Sequence, residues 1–144
     1  MTTIDEELSQ SRARVVITGI CTLAFSAVGI HKGLDQEGKL VQGLVVCLLY
    51  LMFSVVWYVM VYRLPGKWPR RRYVTILTDL GIMTYWLHFG GKHVAAYYPI
   101  FLWIIIGNGI RFGEKYLKVG IAIGALGFGS LLVFNDFWRA HLEI

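Results

Sequence analysis

The sequence predicts an all-α fold, a polytopic transmembrane helical bundle of about five spans. Hydrophobic residues make up 56% of its 144 residues, 16% are charged, and the mean hydropathy is +0.58. The apolar residues are gathered in five runs, with Lys and Arg concentrated between them. This much apolar chain exceeds what a water-soluble core of this size buries, whereas a helix satisfies its own backbone hydrogen bonds inside lipid. The pattern therefore predicts membrane-spanning helices.

The N-terminal half is predicted to contain two spans. Residues 1–14 are polar and form a juxtamembrane segment. Residues 15–30 form the first span, which is slightly shorter than the roughly 20 residues that cross a bilayer. Residues 31–39 are polar and rich in glycine, which indicates a loop. Residues 40–62 form the most apolar span.

The C-terminal half is predicted to contain three more spans, over residues 73–89, 94–111 and 117–135. Pro65 and Pro69 lie in the strongly basic segment before them and prevent a continuous helix. A short basic turn over residues 111–118 is expected between the fourth and fifth spans. The transmembrane domain is then residues 15–138, followed by a tail over residues 139–144.

The distribution of basic residues predicts the orientation. Ten of the 14 Lys and Arg residues fall on the side that carries the N-terminus and the loop after the second span. Short loops rich in Lys and Arg stay in the cytoplasm, so the N-terminus is predicted to be cytoplasmic and the chain to be a multi-pass membrane protein. Insertion and anionic membrane lipid explain these residues better than nucleic acid does, so no nucleic-acid partner is expected.

Three polar residues near the predicted cytoplasmic side suggest a buried polar layer. Asp79 lies in the third span, and Asn108 and Arg111 lie near the end of the fourth. Such residues are costly inside a membrane, and a paired set is a candidate signalling element. The alternative is that Asp79 and Arg111 reach the headgroups separately while Asn108 only hydrogen-bonds between helices.

Aromatic residues and one histidine toward the predicted outer side are candidate ligand-binding residues: Trp86, His88, Tyr97, Tyr98 and Trp103. An apolar cavity lined by Trp103, Phe101, Met83 and Trp86 would accept an acyl chain. Ordinary helix packing is the simpler explanation of the same residues.

Small residues predict close helix packing, and no motif predicts a cofactor or metal. Gly120 and Gly124 have the small-xxx-small spacing that lets two membrane helices approach closely. The four histidines lack metal-site spacing, and Cys21 and Cys47 lie inside apolar runs, where they are expected to be small buried hydrophobic residues. No catalytic residue is predicted.

Several residues of the C-terminal half, together with their spacing, resemble the membrane input domain of bacterial hybrid sensor histidine kinases of the diffusible-signal-factor receptor type, which detect a fatty-acid quorum signal. The residues that carry this resemblance are Asp79, Met83, Pro99, Trp103, the stretch Gly107 to Gly113, Tyr116, Leu117, Phe128 and Trp138. The resemblance is densest between Trp103 and Leu117 and covers residues 70–140. The first two spans share only hydropathy with this family.

The resemblance implies a signal-input module of a two-component system in the bacterial inner membrane. Such a module detects a small, amphiphilic or fatty-acid-like ligand and transmits the signal by helix repacking to cytoplasmic kinase domains, and a homodimer is expected. This chain is not expected to be an enzyme, because no histidine is followed by the acidic residue typical of a phosphoacceptor. Two other hypotheses remain: a small transporter or ion- or proton-handling protein, and a structural membrane partner subunit.

Overall fold

The computed structural model describes residues 3–32, 38–66, 68–90 and 98–140. Six helices make up this part of the chain: α1 (Thr3–Lys32), α2 (Lys39–Arg63), α3 (Pro69–Gly90), α4 (Tyr98–Phe112), α5 (Glu114–Phe134) and α6 (Asp136–Ala140). The all-α prediction is confirmed. The chain divides into two compact units, Met1–Lys67 and Trp68–Ile144.

The first unit pairs α1 with α2. Helix α1 begins at Thr3, so most of the segment predicted to be a polar juxtamembrane region is continuous with the first apolar run. The polar side chains of α1 that are buried recur every three or four residues: Glu7, Ser11, Arg14, Thr18 and Thr22. Its large apolar side chains are exposed instead: Val16, Ile17, Ile20, Leu23 and Ile30. This inverted pattern suits a helix whose outer face meets lipid.

Local backbone chemistry explains the bounds of α2. Gly38 precedes the helix with φ 65°, a left-handed conformation that glycine adopts without a Cβ penalty. The helix ends at Arg63, shortly before Pro65. Gly43, Cys47, Ser54 and Val61 are its buried residues, and large apolar residues on its other faces are exposed.

The second unit packs α3, α4 and α5 around one apolar core, formed by Ile76, Leu80, Leu87, Phe101, Ile105, Tyr116 and Leu131. Contacts between the helices show their directions. Tyr73 lies against Tyr116 near the start of both α3 and α5, with ring centroids 5.1 Å apart, so these two helices are parallel. Tyr98 at the start of α4 lies 5.2 Å from Phe128 near the end of α5, so α4 is antiparallel to α5.

A single glycine joins α4 to α5. Gly113 has φ 101° and ψ 175°, a conformation that is essentially restricted to glycine. The expected basic turn over residues 111–118 is therefore wrong in length, because α4 continues to Phe112 and α5 begins at Glu114. This sharp turn brings the two helices side by side.

Within the described residues, two helices are long and apolar enough to cross a membrane, α2 and α5. In each of them 17% of the apolar segment is buried inside the protein, which leaves the rest available to lipid. Helix α4 is a shorter apolar helix, and α3 is made less apolar by Asp79, its threonines and His88. The count of five spans stays a prediction.

Candidate functional site

An open apolar groove of about 330 Å³ runs between α4 and α5. Its lining is almost entirely hydrocarbon and aromatic, including Tyr98, Phe101, Ile105, Leu117, Ala125 and Phe128. A surface of this kind accepts an apolar chain and offers little to a polar solute.

The floor of the groove depends on glycines of α5. Gly120 and Gly124 are buried, and both face Ile105 of α4. A Cβ added at Gly124 would lie 2.6 Å from Ile105 Cδ1 and 3.3 Å from Phe101 Cε1. Gly127 faces α3 instead, where an added Cβ would lie 2.5 Å from Thr84 Oγ1. Helix α5 thus approaches α4 and α3 closely through different glycines.

An aromatic cluster lies at the end of the groove where α4 begins. The Phe128 ring lies between Tyr98 and Trp138, with centroid separations of 5.2 Å and 6.0 Å. Trp138 of α6 also donates a hydrogen bond from Nε1 to the Leu87 carbonyl of α3 at 3.2 Å. Helix α6 therefore connects this end of the groove to α3.

The structure separates the predicted ligand-binding residues. Tyr98 lines the groove. Trp103 is 71% exposed and does not line the groove between α4 and α5. Trp86 contacts Tyr85 and Phe89 of its own helix, with edge-on geometry toward both rings.

The other two predicted ligand-binding residues have different settings. His88 Nε2 and Ser130 Oγ lie 3.2 Å apart and form a hydrogen bond that links α3 to α5. The Ser130 hydroxyl in turn donates to the Gly127 carbonyl at 2.6 Å. Tyr97 lies outside the described residues.

Two of the three residues of the predicted polar layer are buried. Asp79 is 8% exposed on α3, and Asn108 is 3% exposed on α4, on the same face as Phe101 and Ile105. The Asn108 amide donates from Nδ2 to the Ile104 carbonyl at 2.7 Å. Arg111 is exposed, so its guanidinium is not part of a buried layer. Arg111 points outward in the last turn of α4, whereas the next residue, Phe112, packs against the apolar core.

Sequence reasoning missed a group of basic and aromatic side chains where α3 begins and α4 meets α5. We call this group the basic end; it comprises Arg70, Arg72, Tyr73, Arg111, Phe112, Lys115 and Tyr116. Arg72 Cζ lies 4.4 Å from the centroid of the Phe112 ring and 5.6 Å from that of Tyr116. Lys115 Nζ lies 5.9 Å from the Tyr73 ring centroid. The sequence did contain a signal for this group, because basic and aromatic residues stand close together in residues 70–73 and again in residues 111–116.

Within the part of the chain that the structure describes, no three His, Cys, Asp or Glu residues are grouped closely enough to hold a metal ion. Cys47 is buried, as expected, whereas Cys21 is exposed, and both are free thiols. Cys21 was predicted to be buried because its run is apolar, but its position on α1 faces outward.

The chain is similar to the sensory/regulatory protein RpfC from two strains of Xanthomonas campestris pv. campestris. In each case 26% of residues are identical over 137 residues, which is 95% of this chain and 18% of the relative. The chain thus spans less than a fifth of the length of the curated relatives that it matches. No protein-family model and no solved structure matches it. The resemblance noted from the sequence covers only residues 70–140, whereas this similarity also includes the first two helices. Nearly the whole chain is therefore similar to a sensory protein.

Proposed function

We propose that this chain is the membrane-embedded input region of a sensor histidine kinase, and that it binds an amphiphilic, fatty-acid-like ligand. The observation that carries this proposal is the similarity to a sensory/regulatory protein over 95% of the chain, with coverage of only 18% of that protein. A region of this size and composition fits an input module attached to larger output domains. The basic end then lies toward the cytoplasm.

The groove between α4 and α5 supports the class of ligand. Its volume of about 330 Å³ is at the lower end of the range for small-molecule sites, roughly 300–1,000 Å³. The lining contains Phe101, Ile105 and Phe128, which match a hydrocarbon tail. Because the groove is open, a tail enters it from the bilayer and its polar head stays near the membrane surface.

Helix repacking is the proposed route by which binding reaches the output domains. A tail between α4 and α5 changes their separation, and Ile105 packs directly on Gly120 and Gly124. Buried Asp79 on α3 and Asn108 on α4 provide polar contacts whose rearrangement distinguishes two helix packings. A ligand shifts the balance between such packings only by its difference in affinity for them.

A binding experiment with a groove-filling variant tests the ligand. The purified chain in nanodiscs is titrated with a medium-chain unsaturated fatty acid, and binding is followed by tryptophan fluorescence and calorimetry. Ala125→Phe places a ring in the groove and is expected to weaken binding at least tenfold, a loss of about 1.4 kcal/mol. Ala122→Phe, at another exposed position of α5, is the matched control and is expected to bind normally. A flat titration of the native chain would contradict the proposal.

A signalling experiment tests the polar residues. In a fusion of this chain to a histidine kinase output domain, Asp79→Asn keeps the side-chain shape and removes the charge. We expect a normal folded yield and a reduced difference in kinase activity with and without ligand. Loss of folded protein alone would show that Asp79 is structural, and an unchanged response would exclude it from transmission.

A further inference from the structure

We infer that the basic end binds the phosphate headgroup of an anionic phospholipid, at a site distinct from the groove. The proposal uses the membrane location of the proposed function but not its ligand. Three helix ends meet at the basic end. Ring contacts among Tyr73, Phe112 and Tyr116 bring together the start of α3, the end of α4 and the start of α5.

The charge at this end is strongly unbalanced. Residues 68–73 and 111–118 contain six Lys and Arg residues and one carboxylate, Glu114. That carboxylate is already engaged, since Glu114 Oε1 lies 2.7 Å from Lys118 Nζ. Among the described residues, Arg70, Arg72, Arg111 and Lys115 have no carboxylate partner, so the local field favours an external anion.

The aromatic rings hold two of these cations in place. A guanidinium that stacks on a ring makes the cation–π contact through the flat face of the guanidinium. Its N–H groups lie in the guanidinium plane, so they stay available to other acceptors. Arg72 makes this contact with Phe112 and Tyr116, and no described residue takes a hydrogen bond from it. Lys115 is held in the same way over Tyr73. Fixed donors lose less conformational entropy on binding a phosphate than free surface lysines do.

The position of the basic end favours a lipid over a dissolved phosphate. Helix α5 begins at this end with Glu114, Lys115 and Lys118 and carries no charged residue from Val119 to Phe134. A helix of this kind places its charged first turn at the membrane surface, at headgroup depth. Exposed Trp68 at the start of α3 is the type of residue that prefers the same depth.

The test compares two lipids that differ only in the headgroup. The full chain in a neutral maltoside detergent is titrated with phosphatidylglycerol or with phosphatidylcholine of identical acyl chains, and bound lipid is counted by native mass spectrometry. We expect preferential binding of phosphatidylglycerol. Each basic residue near a membrane surface contributes about 1 kcal/mol, so Lys115→Gln is expected to weaken that binding about fivefold.

Further variants separate a defined site from general charge attraction. Arg72→Gln is expected to weaken binding at least as much as Lys115→Gln, and Arg72→Lys to restore part of it, with thermal unfolding in phosphatidylcholine as the check on folding. Arg139→Gln removes the same charge from α6, beyond the other end of α5, and is the matched control. Equal binding of both lipids, or an equal loss in Arg139→Gln, would overturn the proposal. Displacement of the lipid by soluble glycerol phosphate would also overturn the assignment to lipid.

Discussion

The close approach of α5 to α4 at Gly124 gives the sharpest prediction about stability. An alanine there adds a Cβ that meets Ile105 Cδ1 at 2.6 Å and Phe101 Cε1 at 3.3 Å. The same change at Gly129 meets no heavy atom within 4 Å. The two substitutions are chemically identical and lie on one helix, so their difference isolates the packing of α5 on α4.

The expected magnitude follows from two opposing effects. Replacing glycine by alanine inside a helix is favourable by about 1 kcal/mol, and this gain is common to both positions. Overpacking a tight contact costs about 1–3 kcal/mol, and only Gly124 incurs it. Gly124→Ala is therefore expected to lower the free energy of unfolding by about 1–3 kcal/mol relative to Gly129→Ala. The difference in the free energy of unfolding is expected to be about 1 kcal/mol if Ile105 changes rotamer to avoid the added Cβ.

A compensating substitution tests the cause. Ile105→Val removes Cδ1, the atom closest to the added Cβ, and by itself costs about 0.5–1.5 kcal/mol. In the double variant the clash is gone, so we expect a favourable coupling of about 1 kcal/mol between positions 105 and 124. Reversible unfolding in mixed micelles, followed by circular dichroism, measures all four proteins. Equal stabilities of Gly124→Ala and Gly129→Ala, or no coupling, would refute this account of the packing.

Three other substitutions test separate features. Gly127→Ala forces a Cβ to within 2.5 Å of Thr84 Oγ1, so in micelle unfolding it should be less stable than Gly129→Ala by about 1–3 kcal/mol, and Thr84→Ala should relieve this loss. Trp138→Phe removes the hydrogen bond to α3 and should cost about 1 kcal/mol, whereas Trp103→Phe at an exposed site should change stability little; equal effects would argue against the role of α6. Gly113→Ala should cost about 1–3 kcal/mol because φ is 101°, and a neutral result would mean that the turn adopts another conformation.

The predicted and observed sites differ most on α4. Tyr98 and Trp103 were both candidate ligand-binding residues, yet Tyr98 lines the groove and Trp103 is exposed. Hydropathy does not tell them apart, because nearly every residue between them is apolar and no polar face marks the outside. Asn108 and Arg111 are about one helical turn apart, yet the Asn108 side chain is buried and that of Arg111 is exposed.

The sequence by itself determined the elements that depend on local chemistry. Long apolar runs, the Pro65–Pro69 interruption and Gly38 define where helices form and where they stop, whereas the turn at Gly113 is shorter than the sequence predicts. These effects act over a few residues, so they are readable in one segment at a time.

Only the tertiary structure decided which segments meet. The contact of Arg72 with Phe112, the choice of Ile105 or Thr84 as the neighbour of each glycine, and the hydrogen bond from Trp138 to Leu87 join residues far apart in the chain. The rotation of each apolar helix about its axis sets all of these contacts. That rotation depends on side-chain packing between helices, which composition and spacing do not encode.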